Sequence, residues 1–337
     1  MMENMISVIV CTYNQENTIA RTLDSILMQQ CHLPYEIVIG EDCSTDRTLD
    51  ICQEYAKQQP DKIRIIANIK NKGIVDNYFD CLLAAQGKYI ADCAGDDFWT
   101  DPQKLEKELT ILEDHPEVTL VHTNWLYYDE EKGTTYPPIP AESKQTRPFI
   151  DGKELLEDIV TQTQCPIIHL CTSLYRRDVF LQAYQKDKDL FRNKDFGCED
   201  VPISFIMAQN GHIAYLPDIT LNYSMGKTTI SNTMNEERQY HFVKQVTNLS
   251  YYICTRYQME SQHIDDYFKQ RIFALSMHAF RCHSKTMRDE VRKLKSEWHV
   301  KDNIPIHVIH LIMSDAFIWR MGLMTRSLFV RWKKMIE

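Results

Sequence analysis

The segment Tyr89-Ile90-Ala91-Asp92-Cys93-Ala94-Gly95-Asp96-Asp97-Phe98-Trp99 decides how this chain is read. It has the pattern of a short buried strand that runs straight into two adjacent carboxylates. Charge at the end of an apolar strand costs stability unless something binds there, and a divalent cation or a phosphate-bearing ligand is the usual answer. Just beyond, Asp101-Pro102 supply an N-cap and a first helical position for a helix carrying Leu105, Leu109 and Leu112, which Pro116 stops. That punctuation needs neither Asp96 nor Asp97, so the pair is left for a ligand.

Outward from this segment, strand and helix patterns alternate from Met5 to Thr123. Ile6 to Val10, Glu36 to Gly40, Ile63 to Ile66, Tyr89 to Cys93 and Val118 to His122 are apolar runs of strand length. Between them, Ile19, Leu23, Ile26 and Leu27 mark one helix face, Leu49, Cys52 and Ala56 a second, and Tyr78, Leu82 and Ala85 a third. Near-continuous apolar strands separated by amphipathic helices predict an α/β fold, a mostly parallel sheet with helices on both faces. In such sheets ligands bind outside the carboxyl ends of the strands.

Those strand ends read Cys11-Thr12-Tyr13-Asn14, Gly40-Glu41-Asp42-Cys43-Ser44-Thr45-Asp46, Asn68 to Gly73, and Gly95-Asp96-Asp97. All are polar, although Asn14, Ser44 and Asp46 also suit turns or helix caps. No G-x-G-x-x-G follows the first strand and no G-x-x-x-x-G-K-[ST] occurs, so backbone cradling of phosphates is not the evident mode. Carboxylates in place of glycines point to a metal-bridged diphosphate, and oxygen ligands suit hard Mg²⁺ or Mn²⁺.

The 337 residues suffice for about two domains. A hydrophobic share of 44%, a charged share of 25% and a mean hydropathy of -0.39 are ordinary for a globular protein. No basic and apolar leader opens the chain, and no apolar run approaches the ~18 residues of a membrane-spanning helix. Eleven scattered cysteines without a C-x-x-C pair fit reduced thiols, which makes the cytoplasm the expected compartment. Residues 281–337 hold 12 Lys/Arg against 6 Asp/Glu, so the rest carries -15 of the net -9. A basic tail on an acidic body suits an anionic partner, such as a membrane surface, or is simply a solvated helix face.

Ile6 to Asn14, Glu36 to Thr48, and Gly87 to Ile90 leading to Gly95-Asp96-Asp97-Phe98-Trp99-Thr100-Asp101-Pro102 resemble the family 2 glycosyltransferases. These are inverting, nucleotide-sugar-dependent enzymes of the GT-A fold, a Rossmann-like arrangement. The resemblance is strong over residues 5–125, thinner to about 232 and absent beyond. It implies a GT-A domain over 1–232, with a donor half (1–125) and an acceptor and catalytic-base half (126–232), followed by a helical C-terminal region over 233–337. It further implies that Cys11, Tyr13, Glu41 and Asp42 hold the donor nucleotide, that Asp96 lies near the ribose or donor sugar, and that Asp97 binds the metal. Phe196-Gly197-Cys198-Glu199-Asp200-Val201-Pro202 is similar to the family's E-D motif, which makes Asp200 the implied base and Glu199 its second candidate. A simple helix cap is the competing role for Asp200.

Two departures narrow the expectation. Many relatives have Tyr-Arg-x-His where this chain has Tyr223-Ser224-Met225-Gly226, so the metal shell rests on Asp97, diphosphate oxygens and water, and Lys227 is a candidate to face the diphosphate. No Q-x-x-R-W occurs, since Leu328 stands where the glutamine would precede Arg331-Trp332, which favours single-residue addition over processive synthesis. The expected reaction moves one sugar from a nucleoside-diphosphate sugar, foremost a UDP-sugar, to a glycan or lipid-linked acceptor in cell-surface polysaccharide synthesis. No nucleic-acid partner is expected.

Two rival readings are weaker. A metal-dependent nucleotidyltransferase acting on sugar phosphates wants a Gly/Lys/Arg-rich loop after strand one, and a phospho-acceptor signalling module wants a lone Asp after its third strand and a Lys after its fifth. Cys11-Thr12-Tyr13-Asn14 and His122-Thr123-Asn124 provide neither. The Pro-rich residues 133–148 read as an active-site flap or a surface crossover. From Asn235 to Glu337 the pattern is helical throughout, and His307 and His310 share a face without a third metal ligand. Phe317, Trp319, Leu323, Leu328, Phe329 and Trp332 alternate with Arg320, Arg326, Arg331, Lys333 and Lys334. That mixture suits either packing within the protein or peripheral contact with the inner face of the cell membrane.

Overall fold

A computed structural model describes residues 3–138, 148–164, 166–226, 235–301 and 304–324. The chain divides into two compact units, Met1–Gly226 and Lys227–Glu337. The boundary expected at 232/233, Lys227, residues 139–147 of the Pro-rich stretch, and Arg326 to Lys334 with Leu328, Phe329, Arg331 and Trp332 lie outside the described residues.

The strands of the first unit are β1 (Glu3–Thr12), β2 (Tyr35–Glu41), β3 (Ile63–Ala67), β4 (Gly87–Asp92), β5 (Phe98–Trp99), β6 (Val118–Asp129), β7 (Thr134–Tyr136), β8 (Phe149–Asp151), β9 (Ser173–Arg176) and β10 (His212–Met225). Its helices are α1 (Ile19–Leu27), α2 (Thr48–Gln58), α3 (Ile74–Ala84), α4 (Lys104–Asp114), α5 (Leu156–Thr161), α6 (Arg177–Lys186), α7 (Asp189–Arg192) and α8 (Asp200–Asn210). The main sheet runs β3-β2-β1-β4-β9-β6-β10-β5. Neighbours from β3 to β4 are parallel, as are β6 and β10, while β9 is antiparallel to both its neighbours. Ile6, Val8 and Val10 of β1 meet Ile19, Leu23 and Ile26 of α1 in the core. Burial on both faces asks for a nearly continuous apolar run, which only the buried Ser7 interrupts between Ile6 and Val10.

Two elements differ from the sequence pattern, and both differences shape the site. Helix α4 begins at Lys104 rather than Pro102, because Asp101 Oδ1 accepts the Gln103 amide at 2.8 Å and closes a turn before the helix. Strand β6 does not end at His122 but continues to Asp129, because β10 runs parallel beside it, pairing Asn222 with Leu126 and Ser224 with Tyr128. That extension carries Ser224 to the end of the sheet where Asp97 sits.

The second unit contains α9 (Glu236–Tyr257), α10 (Gln262–Arg281), α11 (Lys285–Glu297), α12 (Ile304–Ser314) and α13 (Ala316–Met324). Asn235, Ser261 and Ser284 cap the first three by accepting amides of the first turn. Ile264, Phe268 and Leu275 of α10 are buried, as are Val291 and Leu294 of α11 and the adjoining Trp298. Helices α12 and α13 meet at a bend of 109°, and among the described residues no single helix is long and apolar enough to cross a membrane.

Candidate active site

The loops after β1 and β2 are built as one piece. Asn14 and Cys43, one in each loop, both adopt left-handed backbone (φ 53 and 63). The Asn14 amide donates to Ser44 Oγ at 3.0 Å, the Thr45 amide donates to Asn14 Oδ1 at 2.8 Å, and the Gln15 amide donates to Thr48 Oγ1 at 2.7 Å. The Glu16 amide donates to Asp46 Oδ2. Asn14, Ser44 and Asp46 thus serve as turn and bracing residues.

Glu41 is buried, and its Oε1 accepts the Ser44 amide at 2.7 Å. Asp42 is also buried, and its carboxylate accepts Asn68 Nδ2, the Lys72 amide and the Gly73 amide at 2.8–3.0 Å. A carboxylate offers about four lone-pair positions, so one remains for a ligand. Tyr13 stands 45% exposed at the rim, an aromatic face open to stacking. The half-buried Cys11 thiol is pushed well above its ordinary range by hydrogen bonding to Cys81 and by burial.

The Asp96-Asp97 turn is clamped from three sides. Gly95 packs so tightly that a Cβ would lie 2.4 Å from Gln15 Oε1 and 2.8 Å from Thr12 Oγ1, and its amide donates to the Cys11 carbonyl. Arg21 Nη2 donates to the Asp96 carbonyl at 3.0 Å, to Glu130 Oε1 at 2.6 Å and to Ser224 Oγ at 3.2 Å, and its guanidinium lies 4.1 Å from the Phe98 ring centre. Ser224 donates its hydroxyl to the Asp96 carbonyl and its amide to Asp97 Oδ1 at 2.9 Å.

Asp97 Oδ2 is buried without a hydrogen-bond partner. Burial pushes the Asp97 carboxyl well above the usual carboxylate range and neighbouring Asp96 adds to this, against the Ser224 amide, the nearby Cys171 thiol and Arg21. Burial also raises Asp96, with Glu130 adding to the effect and Arg21 and Gln15 opposing it. An orphaned carboxylate oxygen at this depth fits a divalent cation, which would give the charge its missing partner. Among the described residues the cluster of metal-ligating side chains is Cys31, His32 and Glu106, in the α1–β2 loop and on α4, and it includes none of the residues expected here.

A second set of carboxylates gathers at the start of α8. Asp200 is its first residue, and no side chain caps this helix, so neither Glu199 nor Asp200 is spent on capping. Burial raises both carboxyls, and the charge of Asp200 raises Glu199 further. Asp92, at the end of β4, faces the same cluster. Both its oxygens are buried without a partner, and Tyr78 and Tyr175, which hydrogen-bond each other at 2.7 Å, lie close enough to ease its charge. Cys171 feels the charges of both Asp97 and Asp200, and its Sγ accepts the Ala94 amide at 3.3 Å. The Asp97 and Glu199-Asp200 groups are therefore brought to one end of the sheet around Cys171.

An aromatic wall borders this site and was not anticipated from the sequence. Trp125 and Tyr127 of β6 meet edge to face at 4.7 Å, Tyr136 stacks on Tyr127 at 5.2 Å, and His169 lies 5.6 Å from Trp125 and 4.8 Å from Tyr223. Burial pushes the His169 imidazole down to about 4, so it is neutral near pH 7, and its Nδ1 accepts the Cys171 amide. The alternation of Trp125 and Tyr127 along a strand was the one available signal.

A model of the family described as Glycosyl transferase family 2 matches residues 7–182. The uncharacterized protein Rv1520 of Mycobacterium tuberculosis is 41% identical over 135 residues, 40% of this chain and 39% of that protein. The putative glycosyltransferase EpsE of Bacillus subtilis is 40% identical over 125 residues, 37% of this chain and 44% of that protein. The match thus spans about two fifths of the length of these relatives. Among solved structures, Staphylococcus aureus TarS 1-349 in complex with UDP-GlcNAc superposes with a TM-score of 0.55 at 17% identity, covering 94% of this chain and 92% of that one. The mannosyltransferase PcManGT of Pyrobaculum calidifontis, in complex with GDP-Man and Mn²⁺, gives 0.50 at 16% identity, covering 95% and 86%. At such identities these two likenesses show the fold alone.

Proposed function

The chain belongs to glycosyl transferase family 2, and from that premise we propose that it is an inverting transferase moving one sugar from a nucleoside-diphosphate sugar to a glycan or lipid-linked acceptor. The observation that carries this reading is Asp97, a buried carboxylate with one oxygen unpartnered, beside the interlocked loops after β1 and β2. A UDP-sugar is the preferred donor, in keeping with the UDP-GlcNAc bound by TarS. The setting is the cytoplasm and the inner face of the membrane, in cell-surface polysaccharide synthesis.

Each residue then has a task. Tyr13 stacks on the base, Cys11 lines the floor beneath it, and Glu41 and Asp42 hold the loops in shape, Asp42 with one acceptor position turned to the base. Asp96 faces the ribose or donor sugar. A bound Mn²⁺ or Mg²⁺, held by Asp97 and by the diphosphate's own oxygens, would neutralise the charge that develops on the leaving group. Asp200 accepts the proton of the acceptor hydroxyl as that oxygen bonds to the anomeric carbon and the bond from carbon to diphosphate oxygen breaks. Its raised pKa makes it a better proton acceptor than an ordinary carboxylate, and Glu199 stands beside it as the second candidate. The wall of Tyr127, Tyr136 and Tyr223 offers flat apolar faces to the sugar.

The test is thermal stabilisation by nucleoside diphosphates with and without Mn²⁺, paired with a transfer assay. Asp97→Ala is expected to remove the metal-dependent part of the stabilisation. Asp200→Ala is expected to leave it in place while transfer falls by about 10²-fold or more. Equal loss of nucleotide binding in both variants would overturn the division of roles, and no metal-dependent stabilisation of the wild type would overturn the donor site.

A further inference from the structure

We propose that the C-terminal helical unit docks on the surface of an anionic phospholipid bilayer, with α12 and α13 lying in the headgroup boundary and a lipid phosphate held in a basic cleft beside them. Of the thirteen large apolar side chains that stand exposed among the described residues, seven fall within residues 304–324. Helix α12 turns Ile306, Ile309 and Met313 inward, yet its outer face also carries Ile304, Val308 and Leu311, 81%, 46% and 57% exposed. Helix α13 buries Trp319 and leaves Phe317, Ile318, Met321 and Met324 exposed. A helix facing only water carries polar residues on that side, and an apolar patch of this extent marks a contact surface.

Several observations identify the occupant as a lipid surface. The apolar ridge adjoins a cleft of about 360 Å³ lined by Arg292, Lys295, His307, His310, Leu311 and Ser314. Leu311 belongs to both, so cation and apolar contact fall on one side of the unit. Arg292 is steered there by its donation to Ser314 Oγ at 2.9 Å, with Asp289 more distant at 3.8 Å. Helix α12 contains no acidic residue, and residues 281–337 carry 12 basic against 6 acidic side chains. A second copy of this chain would set like charges against each other, whereas anionic headgroups complement them. Neither helix alone is long and apolar enough to cross a bilayer, and a pair bent by 109° fits along the headgroup boundary. Beyond Met324 the sequence repeats the same composition through Leu328, Phe329, Arg331, Trp332, Lys333 and Lys334.

This inference deepens the membrane setting proposed above and rests on that reading only for its biological purpose, since it uses no residue of the donor site. The full-length protein is sedimented with vesicles of equimolar phosphatidylglycerol and phosphatidylcholine, and with phosphatidylcholine alone. The expected result is partition onto the anionic vesicles at least about tenfold stronger than onto neutral ones, and weakened by salt. Phe317→Ser with Ile318→Ser is expected to lower that partition about tenfold or more. Arg292→Gln and Lys295→Gln are expected to lower it about fivefold each. Circular dichroism and UDP-dependent thermal stabilisation check that each variant is folded and that its donor site is intact, so failure here is distinct from failure of the transferase reading. Absence of vesicle binding, or equal binding by all variants, overturns the proposal. So does a patch variant that turns a dimer into a monomer without changing vesicle partition, for the ridge is then an interface between copies.

Discussion

Asp92→Asn is expected to stabilise the protein, and by an amount that depends on pH. Asp92 is 4% exposed, and its carboxylate has no close, well-directed hydrogen bond, only the nearby hydroxyls of Tyr78 and Tyr175. Burial pushes its carboxyl up to about 8 from an ordinary 3.8, with Asp200 adding to the rise and Tyr78 and Tyr175 opposing it. The folded state therefore favours the neutral acid. Its stabilising contribution is complete below about pH 4 and is lost as the pH climbs through about 8. A rise of about 4 units at 1.36 kcal/mol each amounts to about 6 kcal/mol, of which about 4 kcal/mol is already lost at pH 7. The asparagine amide keeps the shape of the neutral acid and cannot ionise. Wild type and variant should therefore agree near pH 4 and diverge, with the variant the more stable, by several kcal/mol near neutrality. Urea unfolding of both proteins at about pH 4, 7 and 9 measures this, and the second unit cancels in the difference. A gap that stays constant across that range would refute the reasoning. The charge of Asp92 also raises Glu199. Because Asp92 is already neutral below about pH 8, that effect is absent there, and the acid limb of the transfer rate should stay in place in the variant.

Two further outcomes are expected. Tyr13→Ala removes an exposed ring at the rim and should weaken UDP binding about tenfold, the order of one base–aromatic stack, as read by isothermal calorimetry, without changing thermal stability in the absence of nucleotide. Gly152→Ala would place a Cβ 2.1 Å from the Ala208 carbonyl oxygen and 2.4 Å from its Cα, so the approach of α8 to the turn after β8 must open. That should cost about 1–3 kcal/mol in thermal unfolding, and an unchanged melting temperature would show that the turn yields freely.

The parallel strands were legible because burial on both faces leaves a continuous apolar run, and the helices between them because each covers the sheet with one stripe. Polar residues at the strand ends could be recognised for the same reason, since nothing in the sheet explains them. What stayed hidden depends on partners far along the chain. Asp97 is recognisable as a charged strand end, but its split environment is set by Ser224, 127 residues away, on an extension of β10 and β6 that no local pattern announces. Asp42 looks like a free ligand carboxylate, yet most of its hydrogen bonding goes to Asn68, Lys72 and Gly73. Asp92 sits inside the very segment that identifies the fold, and its neutral state follows from burial and from Asp200, on another element, with Tyr78 and Tyr175 only partly offsetting them. Lys104 reads as the exposed start of a helix, but it is fully buried, paired with Glu108 at 2.7 Å and 4.6 Å from the Trp99 ring centre. In each case the residue type is local information while its charge state and partner are tertiary. A sequence can therefore nominate carboxylates for chemistry here, whereas the sorting of Asp97 with an unsatisfied oxygen, Asp42 as a brace and Asp92 as a neutral acid follows from which distant groups reach each one and which carboxyl is left to burial.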